Sequence, residues 1–166
     1  MTRRQAAIGS VLFFLVAPAV VAGLVPWLLT RWDAASASTW WLPVRIVGAL
    51  LVAGGVAVLV HAFAHFVLEG RGTPAPVAPP EQLVVGGLYR YVRNPMYVAA
   101  VAAIVGQALL LWRPVLVLYA ALVWTVVALF VRLYEERELR RRFGPQYEAY
   151  CRGVPAWRPR RTPWRP

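Results

Sequence analysis

Two apolar stretches decide the fold: NPMYVAAVAAIVGQALLLW at 94–112 and PVLVLYAALVWTVVALFV at 114–131. They are 19 and 18 residues long, and Arg113 is the only residue between them. A helix needs about 20 apolar residues to cross the hydrocarbon layer of a bilayer. A proline at the first helical position, such as Pro114, loses no hydrogen bond there. The pattern therefore predicts two membrane helices joined as a tight hairpin.

Two further apolar segments lie before this pair. Residues 5–30 contain no charged side chain over 26 positions, and residues 46–68 contain none over 23 positions. A secretory signal has an apolar core of only about 7–15 residues, so the length of the first segment argues against cleavage at Ala35-Ser36-Ala37. The sequence therefore predicts an all-α integral membrane protein, one domain over 1–166, with four transmembrane helices at about 5–30, 46–68, 94–112 and 114–131.

The composition agrees with a membrane protein. Hydrophobic residues make up 60% of the 166 residues and charged residues 15%. The formal net charge is +11, and all 18 basic residues are arginines. Strong positive charge on so apolar a chain indicates a membrane surface rather than nucleic acid as the partner. A single cysteine, Cys151, excludes an internal disulfide, and no histidine and cysteine cluster has zinc spacing, so neither a metal nor a disulfide framework is expected.

The arginines are distributed unevenly along the chain. Only two lie in the connection between the first two spans, whereas ten follow Val131. Because arginine-rich loops stay on the cytoplasmic side of a membrane, both termini and the tail at 132–166 are predicted to be cytoplasmic. We expect the protein in a plasma membrane, the inner membrane in a bacterium.

The first part of this tail is predicted to continue the fourth span as a helix over 132–150. Glu136 and Arg140 are four residues apart, a spacing at which opposite charges support a helix. Gly144-Pro145 should end this helix or allow only a short resumption. Beyond Val154 the proline and arginine content predicts an extended chain.

Polar side chains gather at the cytoplasmic edge of the hairpin. LYRYVRNPMY at 88–97 enters the membrane with three tyrosines, two arginines and an asparagine, and RLYEE at 132–136 leaves it with adjacent carboxylates. A hairpin brings these segments to the same end, which indicates a functional site. The alternative is that tyrosine and arginine side chains only anchor the helix ends at the membrane interface.

These segments belong to a longer pattern. It consists of GGLYRYVRNPMY at 86–97, the apolar hairpin, EEREL at 135–139, FGPQYEAY at 143–150 and VP at 154–155. The pattern resembles the isoprenylcysteine carboxyl methyltransferase family, in its bacterial type. That family shares its core, Arg-His-Pro-x-Tyr followed by Glu-Glu, with the phospholipid N-methyltransferases. The resemblance covers roughly residues 83–155.

The resemblance implies S-adenosylmethionine as cofactor, bound at the cytoplasmic face in a pocket that a C-terminal helical segment caps. It implies methyl transfer to a lipophilic acceptor whose head group is a carboxylate, an amine or a thiol. The chain departs from the family at Asn94, where the best-known members have histidine. Asparagine forms hydrogen bonds but cannot act as a general base near neutral pH.

The resemblance also suggests roles for individual residues. Tyrosine faces can stabilise the sulfonium of the donor, a glutamate its ammonium and an arginine its carboxylate. Arg132 and Glu136, one helical turn apart, are the expected catalytic residues: Arg132 would hold the acceptor head, and Glu136 would fix Arg132 or take a proton. The expected cofactor-binding residues are Tyr89, Arg93, Asn94, Pro95, Tyr97 and Glu135.

A different class of function is a small four-span transporter or a structural membrane subunit. A transporter should carry ionisable side chains near the bilayer midplane, because such groups mark ion and substrate pathways. The midplanes of predicted spans one, three and four carry none. A polar site at one edge instead fits a soluble cofactor that arrives from the cytoplasm and a lipophilic small-molecule or lipid substrate.

Other features have simpler interpretations. His61, His65 and Glu69 recur every four residues along the second span, but no further ligand is available, so we expect packing, or a contact with the head group of the acceptor, rather than a metal site. Cys151 is interpreted as a buried or idle thiol. The arginines of the tail are expected to bind anionic membrane lipids, at about 1 kcal/mol each, rather than nucleic acid. The proline-rich segment 70–80 is expected to form a stiff cytoplasmic loop.

Overall fold

The computed structural model describes residues 16–35, 39–70 and 82–165, and every regular element in these ranges is a helix. The five main helices are α1 (Val16–Thr30), α2 (Leu42–Gly70), α3 (Pro95–Leu111), α4 (Pro114–Phe130) and α5 (Glu136–Gly153). Short 3₁₀ turns occupy Thr39–Trp41 and Gly87–Arg90, and π-helical turns occupy Val20–Leu24 and Val131–Glu135. Most of the predicted loop at 70–80 and the first part of predicted span one lie outside the described residues.

Two helical segments are long and apolar enough to cross a bilayer by length and composition, Leu42–His65 and Pro114–Gly153. Helix α3, with 17 residues, and the described part of α1 are apolar but shorter. Arginine follows directly after Val131, so the apolar part of the long second segment ends there. The all-helical prediction is confirmed for the described residues, and the arrangement as four spans with a membrane hairpin stays a prediction.

Helices α2 and α3 pack with their backbones in contact. A Cβ atom on Gly48 would lie 2.7 Å from the carbonyl oxygen of Gly106, and one on Gly55 would lie 2.8 Å from that of Ala99. Small residues at such crossings allow membrane helices to approach closely, and dispersion contacts then replace the hydrophobic effect as the source of association. These glycines therefore set the spacing of the two helices.

The turn from α3 to α4 consists of the residues predicted for it. Trp112 ends α3 in the left-handed conformation (φ 53°), Arg113 is extended, and Pro114 begins α4. The fully buried Leu116 packs against Ala108 and Leu111 beside the turn. These contacts hold α3 and α4 together at this end.

Side chains of α3 and α4 each donate a hydrogen bond to the π turn in α1. A π turn leaves backbone carbonyls without their usual helical donors. Gln107 of α3 donates to the carbonyl of Ala22 at 2.7 Å, and Tyr119 of α4 donates to that of Val21 at 2.9 Å. Polar side chains inside this apolar bundle thus have a structural role.

Helix α5 bends sharply at Gly144, which has φ 46° and ψ −122°, and resumes from Pro145 to Gly153. Glycine adopts a positive φ without steric cost, and proline is tolerated at the start of the resumed helix. The predicted break at Gly144-Pro145 is confirmed, although the helix continues further than expected. Residues 154–165, the terminal segment, then run back over the start of α3 without regular structure.

Candidate functional site

The start of α3 and the π turn after α4 are joined by a hydrogen bond. The Tyr97 hydroxyl donates to Glu135 Oε2 at 3.1 Å, across 38 residues of sequence. Both side chains are partly buried. Glu135 is the last residue of the π turn, in which an extra residue per turn changes the direction of the side chains that follow. The two polar segments of the sequence therefore meet at one end of the α3–α4 pair.

Arg93 connects this end to both halves of α5. Its Nη1 atom lies 3.1 Å from Glu136 Oε1, before the bend, and 2.7 Å from Cys151 Sγ, after it. The same nitrogen is 3.3 Å from the Tyr147 hydroxyl. The Arg93 side chain is 15% exposed, and its buried Nε has no hydrogen-bond partner within the described ranges. Cys151, interpreted as a buried or idle thiol, is partly buried, and its sulfur contacts the guanidinium.

Asn94 ties the terminal segment to α3. Its backbone N–H and its side-chain Nδ2 both donate to the carbonyl of Ala156, at 3.3 and 3.1 Å, and the N–H of Arg93 donates to that of Pro155 at 3.0 Å. Asn94 is 8% exposed, and Pro95 beside it is also buried. These two predicted cofactor-binding residues thus lie beneath the terminal segment, and the amide of Asn94 is already engaged.

Further hydrogen bonds continue this attachment. Arg160 N–H donates to the carbonyl of Tyr91 at 3.0 Å, and Trp164 N–H donates to that of Arg90 at 2.9 Å. Arg90 Nε in turn donates a hydrogen bond to the carbonyl of Trp164 at 2.8 Å. The terminal segment therefore follows the segment before α3 over most of its length.

Tyr89 is buried, at 5% exposure, and packs with Ala62 of α2 and Val84. Its carbonyl accepts a hydrogen bond of 2.7 Å from the Tyr150 hydroxyl of α5. Two residues earlier, Gly87 has φ 52°, and a Cβ atom there would lie 2.8 Å from the His65 ring. Tyr89 is therefore held between α2 and α5 rather than displayed on a surface.

One face of α5 contains residues that the predicted site did not include. Tyr147, Tyr150 and Val154 are at most 3% exposed and form one buried cluster. With Cys151 they recur at intervals of three and four residues, the spacing of one helical face. This periodicity was the available signal, since it predicts a helix face packed against another part of the chain.

The expected pairing of Glu136 with Arg132 is wrong. Glu136 instead lies 3.1 Å from Arg93 and 3.9 Å from Arg140, and no ion pair joins it to Arg132 in the part of the chain that the structure describes. Arg132 is exposed and lies inside the π turn.

The electrostatics single out Glu135. Burial raises the pKa of its carboxyl, the neighbouring Glu136 raises it further, and the hydrogen bond from Tyr97 opposes this shift. Within the described ranges no basic side chain forms an ion pair with Glu135, whereas Glu136 has two such partners. In this part of the chain the hydrogen bond given to Glu135 comes from a neutral hydroxyl, so its carboxylate form can attract a cation.

The His61 and His65 rings lie 4.7 Å apart on α2. The side chain of Glu69, the third member of the predicted stripe, lies outside the described residues. No group of three potential metal-ligating side chains occurs among residues 16–35, 39–70 and 82–165.

The comparisons with known proteins give one family. The family model for phospholipid methyltransferase matches residues 44–146, which is more than half of the chain. The match extends from the beginning of α2 to the bend in α5, so it includes the start of α3 and the π turn after α4. No curated protein and no solved structure matches the chain significantly.

Proposed function

Because the chain belongs to the phospholipid methyltransferase family, we propose that it transfers a methyl group from S-adenosylmethionine to the polar head of a lipid acceptor. Family membership makes the protein a membrane methyltransferase with a lipid-type substrate, and favours this function over a transporter or a structural subunit. The narrower resemblance to isoprenylcysteine carboxyl methyltransferases is part of the proposal only as a source of candidate site residues.

The observation that carries the proposal is the hydrogen bond between Tyr97 and Glu135. It joins two segments that are 38 residues apart and that both lie within the family match. The carboxylate at this junction has a raised pKa and no basic partner among the described residues. A cationic ligand would stabilise the carboxylate form of Glu135, so the site fits such a ligand.

S-adenosylmethionine fits this chemistry, since bound there it supplies an electrophilic methyl group on a sulfonium and also carries an ammonium. We assign Glu135 to the ammonium, and Tyr97 to the orientation of Glu135 and to contact with the sulfonium. Arg93, with Tyr147 and Glu136, holds α5 in place over the site. The terminal segment, bonded to Asn94, excludes water from it.

Alignment is the main contribution that methyl transfer requires from the protein. The reaction is an in-line displacement, so the donor methyl group and the acceptor atom must be held close together and in line. Both carboxylate oxygens of Glu136 lie near arginines, Oε1 at 3.1 Å from Arg93 and Oε2 at 3.9 Å from Arg140. Arg132 is exposed in the π turn that follows the apolar part of α4. We assign Arg132 to the phosphate of the acceptor, which a guanidinium can bind bidentately.

The membrane arrangement is part of the proposal. Four spans with both termini in the cytoplasm would place the Tyr97–Glu135 end of the bundle at the cytoplasmic face, where the soluble donor is available. The support is the arginine distribution, with ten of 18 arginines after Val131. Reporter fusions at Ser36 and Pro166 test this, and a Pro166 fusion on the outer side would contradict it.

The deciding experiment measures donor binding and methyl transfer separately. Calorimetry with S-adenosylhomocysteine on the detergent-solubilised protein should show stoichiometric binding. Incubation of the protein with methyl-labelled donor and a membrane lipid extract should place label in the lipid fraction. Absence of binding and of lipid label from folded protein would reject the proposal.

A further inference from the structure

The terminal segment is anchored at its start, close to the candidate site. Val154 is 1% exposed and belongs to the buried cluster on α5. Two residues further on, the carbonyl of Ala156 accepts two hydrogen bonds from Asn94. Tyr97 follows Asn94 by three residues, so it lies about 4.5 Å further along the helix axis. The first part of the segment is therefore about one helical turn from the residue that bonds to Glu135.

The far end of the segment is held by a tryptophan. The Trp164 ring packs on the Tyr150 ring of α5, with centroids 5.5 Å apart at an interplanar angle of 60°. It also lies directly on Gly153, where a Cβ atom would overlap the ring. The N–H of Trp164 donates to the carbonyl of Arg90 at 2.9 Å, and its carbonyl accepts from Arg90 Nε at 2.8 Å. The seat of the ring therefore requires a residue without a side chain at position 153.

Prolines stiffen the chain between these two ends. Pro155, Pro159 and Pro163 recur every four residues, and each ring fixes its own φ. A proline-rich chain behaves as a semi-rigid spacer rather than as a flexible coil. Midway along it, the N–H of Arg160 donates to the carbonyl of Tyr91 at 3.0 Å. A stiff segment with a fixed start moves as a unit, so its position depends on whether its far end is held.

We propose that the terminal segment is a lid on the donor site and that Trp164 is its latch. This inference rests on the proposed function and adds a means by which donor exchange is controlled. With the ring seated on Gly153 and Tyr150 the lid is closed, and release of the ring lets the segment swing away from Asn94 and opens the site to solvent. Trp164 acts through the segment, so it is a positioning residue. The family match ends at residue 146 and does not contain this contact.

A latch controls rates more than affinity. Ligand entry and exit both require an open lid, so a lid that opens more often should raise the association and dissociation rate constants together. For Trp164→Ala, surface plasmon resonance with S-adenosylhomocysteine should show both constants about tenfold higher and a Kd changed by less than about threefold. A protein that is merely destabilised would lose affinity and would not bind faster. Trp164→Phe should stay close to wild type, because a phenyl ring can still pack on Tyr150.

Gly153→Ala tests the same latch with the tryptophan intact. The added methyl group should displace the ring, so both rate constants should rise as in Trp164→Ala. In the double variant the two effects should not add, because without the ring the methyl group has nothing to displace. Gly54→Ala is the matched control, since a Cβ atom on that glycine of α2 meets no atom within 4 Å. Its rate constants should equal those of the wild type.

Hydrogen exchange followed by mass spectrometry locates the motion. The N–H groups of Arg160 and Trp164 are bonded in the closed lid. Peptides from the terminal segment should therefore exchange at least about tenfold faster in Trp164→Ala and Gly153→Ala, while peptides from α2 keep the wild-type rate. Saturating S-adenosylhomocysteine should slow exchange of the terminal segment in the wild-type protein, because a lid that closes over the ligand opens less often.

Unchanged association rates in Trp164→Ala and Gly153→Ala would overturn the inference. Exchange in the terminal segment that does not respond to saturating S-adenosylhomocysteine would do the same. The proposed function fails differently, because a wild-type protein that binds no S-adenosylhomocysteine rejects the donor site and its lid together. Normal binding and methyl transfer by the wild type, with the same rate constants in both variants, reject the latch alone.

Discussion

Arg93 and Glu136 form an ion pair at 3.1 Å that fastens the beginning of α5 to the segment before α3. The two side chains are 15% and 20% exposed, so the pair is largely shielded from solvent. A shielded pair is costly to break from one side only, because the remaining charge then lacks its partner. The contact therefore makes the position of α5 depend on a residue that is 43 positions away in the sequence.

Replacement of both members of this pair should be less harmful than replacement of one. We expect Arg93→Ala to lower the free energy of unfolding by about 1–3 kcal/mol, since it leaves Glu136 with only the more distant Arg140. Arg93→Ala/Glu136→Ala should lose less than the sum of the single variants. Thermal unfolding in detergent measures all three, and strictly additive losses would show that the pair contributes nothing.

Tyr97→Phe removes the hydroxyl that donates to Glu135 and leaves the ring in place. We expect the affinity for S-adenosylhomocysteine to fall about tenfold, because a hydrogen bond to a charged group contributes about 1.5–3 kcal/mol. Tyr119→Phe is the matched control, since that hydroxyl bonds to a backbone carbonyl of α1. Equal affinities of Tyr97→Phe and Tyr119→Phe would show that the Tyr97 hydroxyl does not contribute to donor binding.

The affinity for S-adenosylhomocysteine should depend on pH through Glu135. Its pKa is raised above the ordinary value of 4.5, mainly by burial. The ligand ammonium pairs with the carboxylate only, so affinity should increase as pH rises through this pKa. Calorimetry across the acidic range measures this, and Glu135→Gln should bind weakly with no such dependence.

The raised pKa of Glu135 also affects the stability of the protein without ligand, and there the pH dependence has the opposite sign to that of ligand affinity. The native state holds the Glu135 proton more tightly than the unfolded chain does. The free energy of unfolding should therefore fall as pH rises from 4.5 to the native pKa. Glu135→Gln should remove this part of the pH dependence in thermal unfolding. An unchanged profile in the variant would assign the dependence to another group.

Arg132→Ala should separate acceptor binding from donor binding. Arg132 is exposed and forms no ion pair within the described ranges, so we expect the affinity for S-adenosylhomocysteine to stay normal. Methyl transfer should fall at least tenfold, because the substitution removes an interaction with the acceptor and not with the donor. Arg137→Ala, another exposed arginine one turn further along, should retain the wild-type rate. Methyl transfer at the wild-type rate in Arg132→Ala would contradict the proposed contact between Arg132 and the phosphate.

Asn94→Ala should loosen the terminal segment. The substitution removes the side-chain hydrogen bond to Ala156, so trypsin should cleave after Arg160 several times faster. In Asn94→His the terminal segment should stay protected from trypsin, because an imidazole N–H can replace the amide donor. Gln146→Ala, at an exposed amide, is the control. Equal cleavage rates in Asn94→Ala and the control would show that the backbone bonds alone hold the segment.

The sequence predicted the helices well because charge and proline mark their ends. Pro95, Arg113 and Pro114 lie at helix boundaries in the structure, as expected from their chemistry. The meeting of Tyr97 and Glu135 was also foreseeable, because a two-residue connection between helices of similar length brings their outer ends together. Both results depend on local features of the chain.

The partners of Arg93 were not foreseeable in the same way. They depend on the positive φ of Gly144, which turns the second half of α5 back, and on a terminal segment without regular structure. The π turn is a second cause, because it changes the direction of Arg132 relative to Glu136 without any marker in the residues themselves. Contacts between segments so far apart in the sequence can be assigned only once the path of the chain is known.

The glycine crossing of α2 and α3 determines which parts of the protein can move. Backbones in contact at Gly48 and Gly106 leave no space for one helix to slide or tilt against the other. Helix α4, by contrast, has its buried leucine contact at the end beside the α3–α4 turn. Its far end is held to α3 by the Tyr97–Glu135 hydrogen bond, so a movement of α4 away from the stationary α2–α3 frame has to break that bond.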